Sequence, residues 1–304
     1  IDGNIDLNKG KENFNLSVNL KKAQLDSLNI VDQDVFVIAD FNIDAKGIKM
    51  DDFQGKVDIK NAYIDYENTP LFFDSLSIRA DNIGLDRRFQ LTSDLIDWEF
   101  SGKFNYNQLL KEVKNLYHEY ELNLNNDFEQ IQSYYTEKRQ QNLNYKNDFN
   151  ILYQLDLKDL NPLIQLIPGE NHVSKNIHLN GIYQSGYTTM IALSSQIDTL
   201  IIQGNAFYNN NIDVSASKIA DSTNVLAAAY IFSEEQLLTK TINTKNLLLE
   251  TYWNNQNISF ESNIEQLDNT LQLIGNVDFL KDTTVVHFDS SKMISERIHA
   301  KILE

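Results

Sequence analysis

Catalysis needs a nucleophile, a base or a cluster of metal-binding side chains, and this chain offers few arrangements of that kind. Its five histidines are His118, His172, His178, His287 and His299. Only His172 and His178 lie near each other, and their spacing fits no common metal-ligand pattern. His118 neighbours Glu119 and Glu121 but lacks the His-Glu-x-x-His spacing that sets two imidazoles on one helix face. Cysteine is absent, which excludes disulfide scaffolds, zinc ribbons and thiol catalysis. No Gly-x-Ser-x-Gly, phosphate loop, dinucleotide fingerprint or calcium loop occurs. With 43 acidic residues, paired carboxylates arise everywhere and point nowhere. The expectation is a protein that is not an enzyme, with no catalytic, cofactor-binding or metal-ligating residue and no cofactor. The 37 asparagines leave two readings open: a polar face that binds sugars, or ordinary solvated strands and turns.

Charge narrows the partners. Against 43 Asp and Glu stand 26 Lys and Arg, a net charge of −17 over 304 residues. Phosphate contact needs a basic surface, so nucleic acid is not an expected partner. Polybasic docking on an anionic membrane is disfavoured for the same reason. No apolar run is long enough to cross a bilayer. The chain opens on Ile1-Asp2-Gly3 and closes on His299-Ala300-Lys301-Ile302-Leu303, both strand-like, so it reads as a segment of a longer protein.

The elements behind these residues are mainly strands. Phe14, Leu16, Val18 and Leu20 alternate with Asn15, Ser17, Asn19 and Lys21. Val57 and Ile59, then Leu76 and Ile78, then Trp98, Phe100 and Phe104 alternate with polar residues in the same way. Extended backbone turns successive side chains to opposite faces, so each run has one apolar and one wet face. From Asn107 to about Asn142 the apolar spacing becomes three and four, which predicts helix, with Asn107 as N-cap and a break near Asn123–Asn126. A shorter helical turn is expected between Leu160 and Ile167, started by Asn161-Pro162 and stopped by Pro168-Gly169.

Five of the eleven glycines share one context, Gly-Asn/Lys-apolar-x-apolar, at Gly3, Gly55, Gly102, Gly204 and Gly275. Their separations of 52, 47, 102 and 71 residues suggest a unit of about 50 residues, with one instance lost and one stretched. Each glycine has the parity of apolar neighbours such as Phe100 and Phe104, Ile202 and Ala206, or Leu273 and Val277. Such a glycine permits a bend of the strand or leaves clearance for a ligand. The expected organisation is a repetitive β segment over 1–106, a helical insertion over 107–147, and a second β segment over 148–304 continuing the same sheet. The fold class is mostly β. A long antiparallel, repetitive sheet is expected to curl into an elongated apolar trough, with one inserted helical segment. The candidate lining is Val57, Ile59, Leu76, Ile78, Trp98, Phe100, Phe104, Leu200, Ile202, Leu271, Leu273 and Val277.

The run Met50-Asp51-Asp52-Phe53-Gln54-Gly55-Lys56-Val57-Asp58-Ile59-Lys60-Asn61-Ala62-Tyr63, with Leu76-Ser77-Ile78, Phe89-Gln90-Leu91 and Phe100-Ser101-Gly102-Lys103-Phe104, resembles the TamB family of translocation and assembly modules, in its Bacteroidota form. The stretches Asp159–Leu163 and Leu179–Tyr183 share the resemblance. It implies a β-taco-like periplasmic bridge anchored in the inner membrane through a part outside this segment. Its implied partners are phospholipid acyl chains and an Omp85-type outer-membrane protein. The implied work is phospholipid transfer between the membranes, outer-membrane protein assembly, or both. An apolar trough would spare a sixteen-carbon acyl chain about 12 kcal/mol of exposure to water. The alternative expectation, from the residues alone, is a surface adhesin or glycan-binding repetitive β protein.

Overall fold

The computed structural model describes every residue except 68, 85, 141–147, 221, 281–282, 296–298 and 303–304. The last part of the predicted helical segment therefore lies outside the described residues. In chain order the elements are β1 (Asp2–Asp6), β2 (Asn13–Gln24), β3 (Val35–Lys46), β4 (Gln54–Tyr66), β5 (Thr69–Ile83), β6 (Asp86–Ser93) and β7 (Ile96–Lys103), then the helices α1 (Tyr106–Asn125) and α2 (Phe128–Gln140). They continue with β8 (Phe149–Leu157), α3 (Asn161–Ile164), β9 (His172–Val173), β10 (Ile177–Ser185), β11 (Thr188–Ile202), β12 (Asn205–Ile219), β13 (Val225–Leu238) and β14 (Ile242–Asn254). The last are β15 (Asn257–Gln266), β16 (Asn269–Leu280), β17 (Thr283–Phe288), β18 (Ser291–Ile294) and β19 (His299–Ile302). The chain forms two compact units, one of residues 1–107, 152–168 and 175–178, the other of 108–151, 169–174 and 179–304.

In the first unit β1 to β7 form an antiparallel meander, each strand pairing with the next in sequence. Alternation sets its apolar face. Phe41, Ile59 and Leu76 lie opposite one another in successive strands, as do Ile43, Val57 and Ile78. The next row is Phe14, Ala45, Gly55, Ala80, Phe89 and Phe100. Small residues thus occupy the middle of that row between large rings. The row ends in an aromatic cluster, with Phe89 stacked on Phe100 at 4.8 Å and Phe104 edge-on to Tyr106 at 5.1 Å.

The second unit repeats the plan with longer strands. β11 through β16 are again a meander of antiparallel neighbours. Leu193, Val214, Ala229, Thr251, Phe260 and Gly275 form one cross-strand row. The hairpin between β11 and β12 turns on Gln203 and Gly204, at φ 50° and 78°. Two successive positive φ values give the primed turn whose twist matches the flanking strands. The helices α1 and α2 pack their apolar stripes together through Leu122, Ile131 and Tyr135. Tyr120 then reaches the sheet, stacking edge-on against Trp253 at 5.1 Å and donating to the Ser217 and Leu226 carbonyls.

Asparagine kinks the strands from within. Asn61, Asn209 and Asn246 sit inside β4, β12 and β14 with φ of 49°, 52° and 51°. In β4 the pair Asn61 and Ala62 opposes the single residue Ala39, and in β14 Asn246 and Leu247 oppose Ile264. The kinks at Asn61 and Asn246 are β-bulges with asparagine in the left-handed position that glycine usually fills, whereas the register runs unshifted past Asn209. Each kink is tied by the same bond. The asparagine amide donates to a carboxylate on a neighbouring strand: Asn61 to Asp40 at 3.1 Å, Asn209 to Glu234 at 2.6 Å and Asn246 to Glu265 at 2.8 Å. The bonds from Asn61 and then Asn19 hold the Asp40 carboxyl below the usual carboxylate range. Asn209→Ala is expected to cost about 1–2 kcal/mol, and Asn209→Gly less, because glycine keeps the conformation and loses only the bond. Urea midpoints of the two variants test that order.

The curled trough is not what forms. Among the described residues no ladder joins β1 to β7, or returns from β17 or β18 to β11, so the sheet in each unit is open. The larger apolar residues of that face in β2 to β4, among them Phe14, Leu16, Val18, Phe41, Ile43, Val57 and Ile59, are half-buried rather than enclosed, and Trp98 is 40% exposed. The physical reason lies in the kinks. Val57, Ile59 and Tyr63 have one parity, yet the Asn61 bulge sends Tyr63 to the opposite face, where it pairs with Ile38. The single inserted helical segment is also corrected: α1 ends at Asn125, α2 follows, and α3 is a separate four-residue helix. The acceptor at the start of α1 is Asp51, which takes the Tyr106 N–H at 2.6 Å and bonds the Asn107 amide.

Candidate functional site

The residues expected to line a trough fall in two groups. Val57, Ile59, Leu76, Ile78, Trp98, Phe100 and Phe104 belong to the first unit, and the first six share its apolar face. Phe104 is only 5% exposed and is a core residue. In the second unit Leu271, Leu273 and Val277 lie opposite Ile264, Ser262 and Ile258. Leu200 and Ile202 lie beyond the Asn209 kink, and Ile202 ends its strand 50% exposed beside the turn. No trough encloses either group, because the sheet that carries each is open.

A polar and aromatic patch on the wet face of β13 to β16 is better equipped to bind. Two cross-strand rows build it. One runs Tyr230, Glu250, Glu261, Ile274, and the next runs Ala228, Tyr252, Ser259, Asn276. The backbone that turns Leu249, Thr251 and Trp253 inward must turn Glu250 and Tyr252 outward. Tyr252 is 60% exposed and Tyr230 is also exposed. Glu250 and Glu261 lie directly opposite each other, a like-charge pair that costs stability in a sheet. Glu261 is steadied by the Gln272 amide at 2.8 Å and the Asn263 amide at 3.3 Å. Asn257 donates to Asp278 at 2.7 Å at the patch margin. Glu250, Tyr252, Ser259, Glu261 and Asn276 line a shallow concavity of about 400 Å³.

The donor set defines the chemistry. The Glu250 and Glu261 carboxylates accept hydrogen bonds, the Asn276 and marginal Asn257 amides and the Ser259 hydroxyl both donate and accept, and Tyr252 offers a flat apolar face. That combination suits a polyhydroxylated ligand. Sequence reasoning passed over these residues, although the signal was present: Tyr252 and Tyr230 are aromatics at positions whose parity is polar.

The second concentration of polar groups is buried. Glu119 of α1 accepts from Tyr134 at 3.0 Å and Tyr135 at 3.1 Å, pairs with Lys138, and lies 3.3 Å from Lys218 of β12. The side chains of Glu119 and Lys218 are 3% and 2% exposed, so this pair holds the helices on the sheet out of contact with solvent. Nearby, burial pushes the Glu112 carboxyl up, and Glu112 bonds Ser185. His118, His178 and His287 each pair with one carboxylate. Among the described residues no group of three or more His, Cys, Asp or Glu could hold a metal ion. No described helix is long and apolar enough to cross a membrane.

No family, no curated protein and no solved structure matches this chain. The resemblance to the TamB family therefore has no support from homology, and the open sheet departs from the trough it implied. The lipid bridge and the assembly role drawn from that resemblance fall with it.

Proposed function

We propose that this chain is a non-catalytic binding module of a repetitive β protein, adhesin-like, that takes neutral glycans on the wet face of β13 to β16. The observation that carries this reading is the placement of exposed Tyr252 beside the opposed carboxylates Glu250 and Glu261 and the Asn276 amide. A sugar ring lays its C–H face on the tyrosine while its hydroxyls bond the acids and amides, and none of these groups needs to move a proton. Acidity of the surface suits a neutral ligand and disfavours nucleic acid. A glycan ligand goes with a place outside the cytoplasm, at the cell surface or in the periplasm.

A glycan array probed with the purified chain tests the reading. Retention of neutral oligosaccharides is expected. Tyr252→Ala should then weaken binding by about 2 kcal/mol, roughly thirtyfold, as truncating a central aromatic contact does. An array with no neutral glycan above background, or an unchanged affinity in Tyr252→Ala, would overturn it.

A further inference from the structure

A second exposed surface lies in the first unit, and its chemistry differs. Below the Asn61 kink the outer face of β3, β4 and β5 stops being polar. Ile38, Tyr63 and Phe72 stand directly opposite one another in three adjacent strands. Phe36 extends the row, with its ring 5.5 Å from Tyr63, and Tyr63 meets Phe72 edge-on at 4.8 Å. Phe72 is 68% exposed, and Ile38 is exposed beside it. Surface aromatics scattered singly need no explanation, but a contiguous row across three strands does.

Carboxylates bracket the row. Asp34 just precedes β3, and the alternate residues that follow it on the strand are Phe36, Ile38 and Asp40. On β4 Tyr63 is followed two residues on by Asp65, and its hydroxyl donates to that carboxylate at 3.0 Å. On β5 Phe72 is followed two residues on by Asp74. The cations nearby are Lys60, opposite Asp40, and Lys22, whose ammonium sits 4.4 Å over the Phe36 ring. Lys22 shows what the row accepts: a cation over a ring face. The aromatic quadrupole and the acidic rim both attract positive charge, and the −17 net charge of the chain works in the same direction.

We infer that this row is a docking surface for a basic peptide segment of a partner protein, with lysine or arginine side chains laid over Tyr63 and Phe72 and held by the flanking aspartates. It uses no residue of the glycan patch, so either assignment stands without the other. Arginine fits best, because its planar guanidinium stacks on a ring and bonds a carboxylate in the same pose.

The test is fluorescence anisotropy of a labelled hexa-arginine peptide against the full chain. Binding is expected, and Phe72→Ala should weaken it about tenfold. Phe72 is exposed enough that its removal leaves the fold alone, which a thermal melt checks. Lys22→Ala vacates the Phe36 ring and should tighten binding by about threefold, a gain that misfolding cannot produce. If both variants bind the peptide as the parent does, attraction is diffuse and the docking surface is overturned. It is equally overturned if Phe72→Ala abolishes self-association, or neutral glycan retention, while peptide binding is unchanged.

Discussion

Glu119→Ala is expected to lower the stability of the second unit by about 3–5 kcal/mol, because it removes the buried carboxylate that lies 3.3 Å from the buried Lys218 ammonium and pairs with Lys138. Lys218 is 2% exposed and Lys138 packs against the same carboxylate. Tyr134 and Tyr135 lose their acceptor as well. The loss falls on the docking of α1 and α2, so a urea melt followed by far-ultraviolet dichroism should show helix leaving before strand. Lys218→Met is the milder change, since Lys138 and the two hydroxyls still serve Glu119. Alkali provides a second readout. Burial first, and then the charge of Glu119, raise the Tyr134 and Tyr135 phenols. A phenol raised in the folded state binds its proton more tightly there than in the unfolded chain. Its contribution is therefore complete below the ordinary value of about 10 and is lost as pH rises above it. Alkaline destabilisation should begin near that value in the parent and be shallower in Tyr135→Phe.

That cluster shows where the sequence stops being legible. In one dimension Glu119 is one acid among Lys, Tyr and Glu on a polar-looking helix, flanked by His118 and Glu121, and nothing marks it as buried. Its burial is decided by Lys218, about a hundred residues away, through a sheet that must form first. The strands themselves were legible, because alternation is a local property of extended backbone and survives any tertiary setting. The faces were legible only between kinks. A left-handed asparagine reads in sequence like any turn or wet-face asparagine, yet at Asn61 it moves Tyr63 from the face of Val57 and Ile59 to the face of Ile38. The trough failed on this point. Amphipathic strands establish that one face is apolar, but curvature depends on where bulges redirect the strands, and that pattern carries no signal of its own. The candidate glycan patch was half legible: parity alone sets Tyr252 on the polar face, whereas its approach to Glu250 and Glu261 needs the register of three strands.

Gly275→Val is expected to be the other severe substitution, costing about 3 kcal/mol or more through overpacking. A side-chain carbon at Gly275 would lie 2.2 Å from the His287 carbonyl oxygen and 2.8 Å from the Phe260 ring. Neither neighbour can withdraw cheaply, since one is ladder backbone between β16 and β17 and the other is packed in the row Thr251, Phe260, Gly275. Gly55→Ala should behave alike for two reasons together: a φ of 143°, and a carbon 2.3 Å from the Asp44 carbonyl oxygen. Gly10→Ala is the control, because Gly10 has a φ of 79° and open space where the carbon would go, so only the conformational penalty of about 1–2 kcal/mol remains. The order Gly275→Val and Gly55→Ala far below Gly10→Ala in thermal stability would show that these recurring glycines exist to let one strand lie against the next. Full stability in the first two, with loss of ligand binding alone, would instead assign them to ligand clearance. The atoms that the added carbon meets are backbone and a packed ring, so the first outcome is the one the geometry requires.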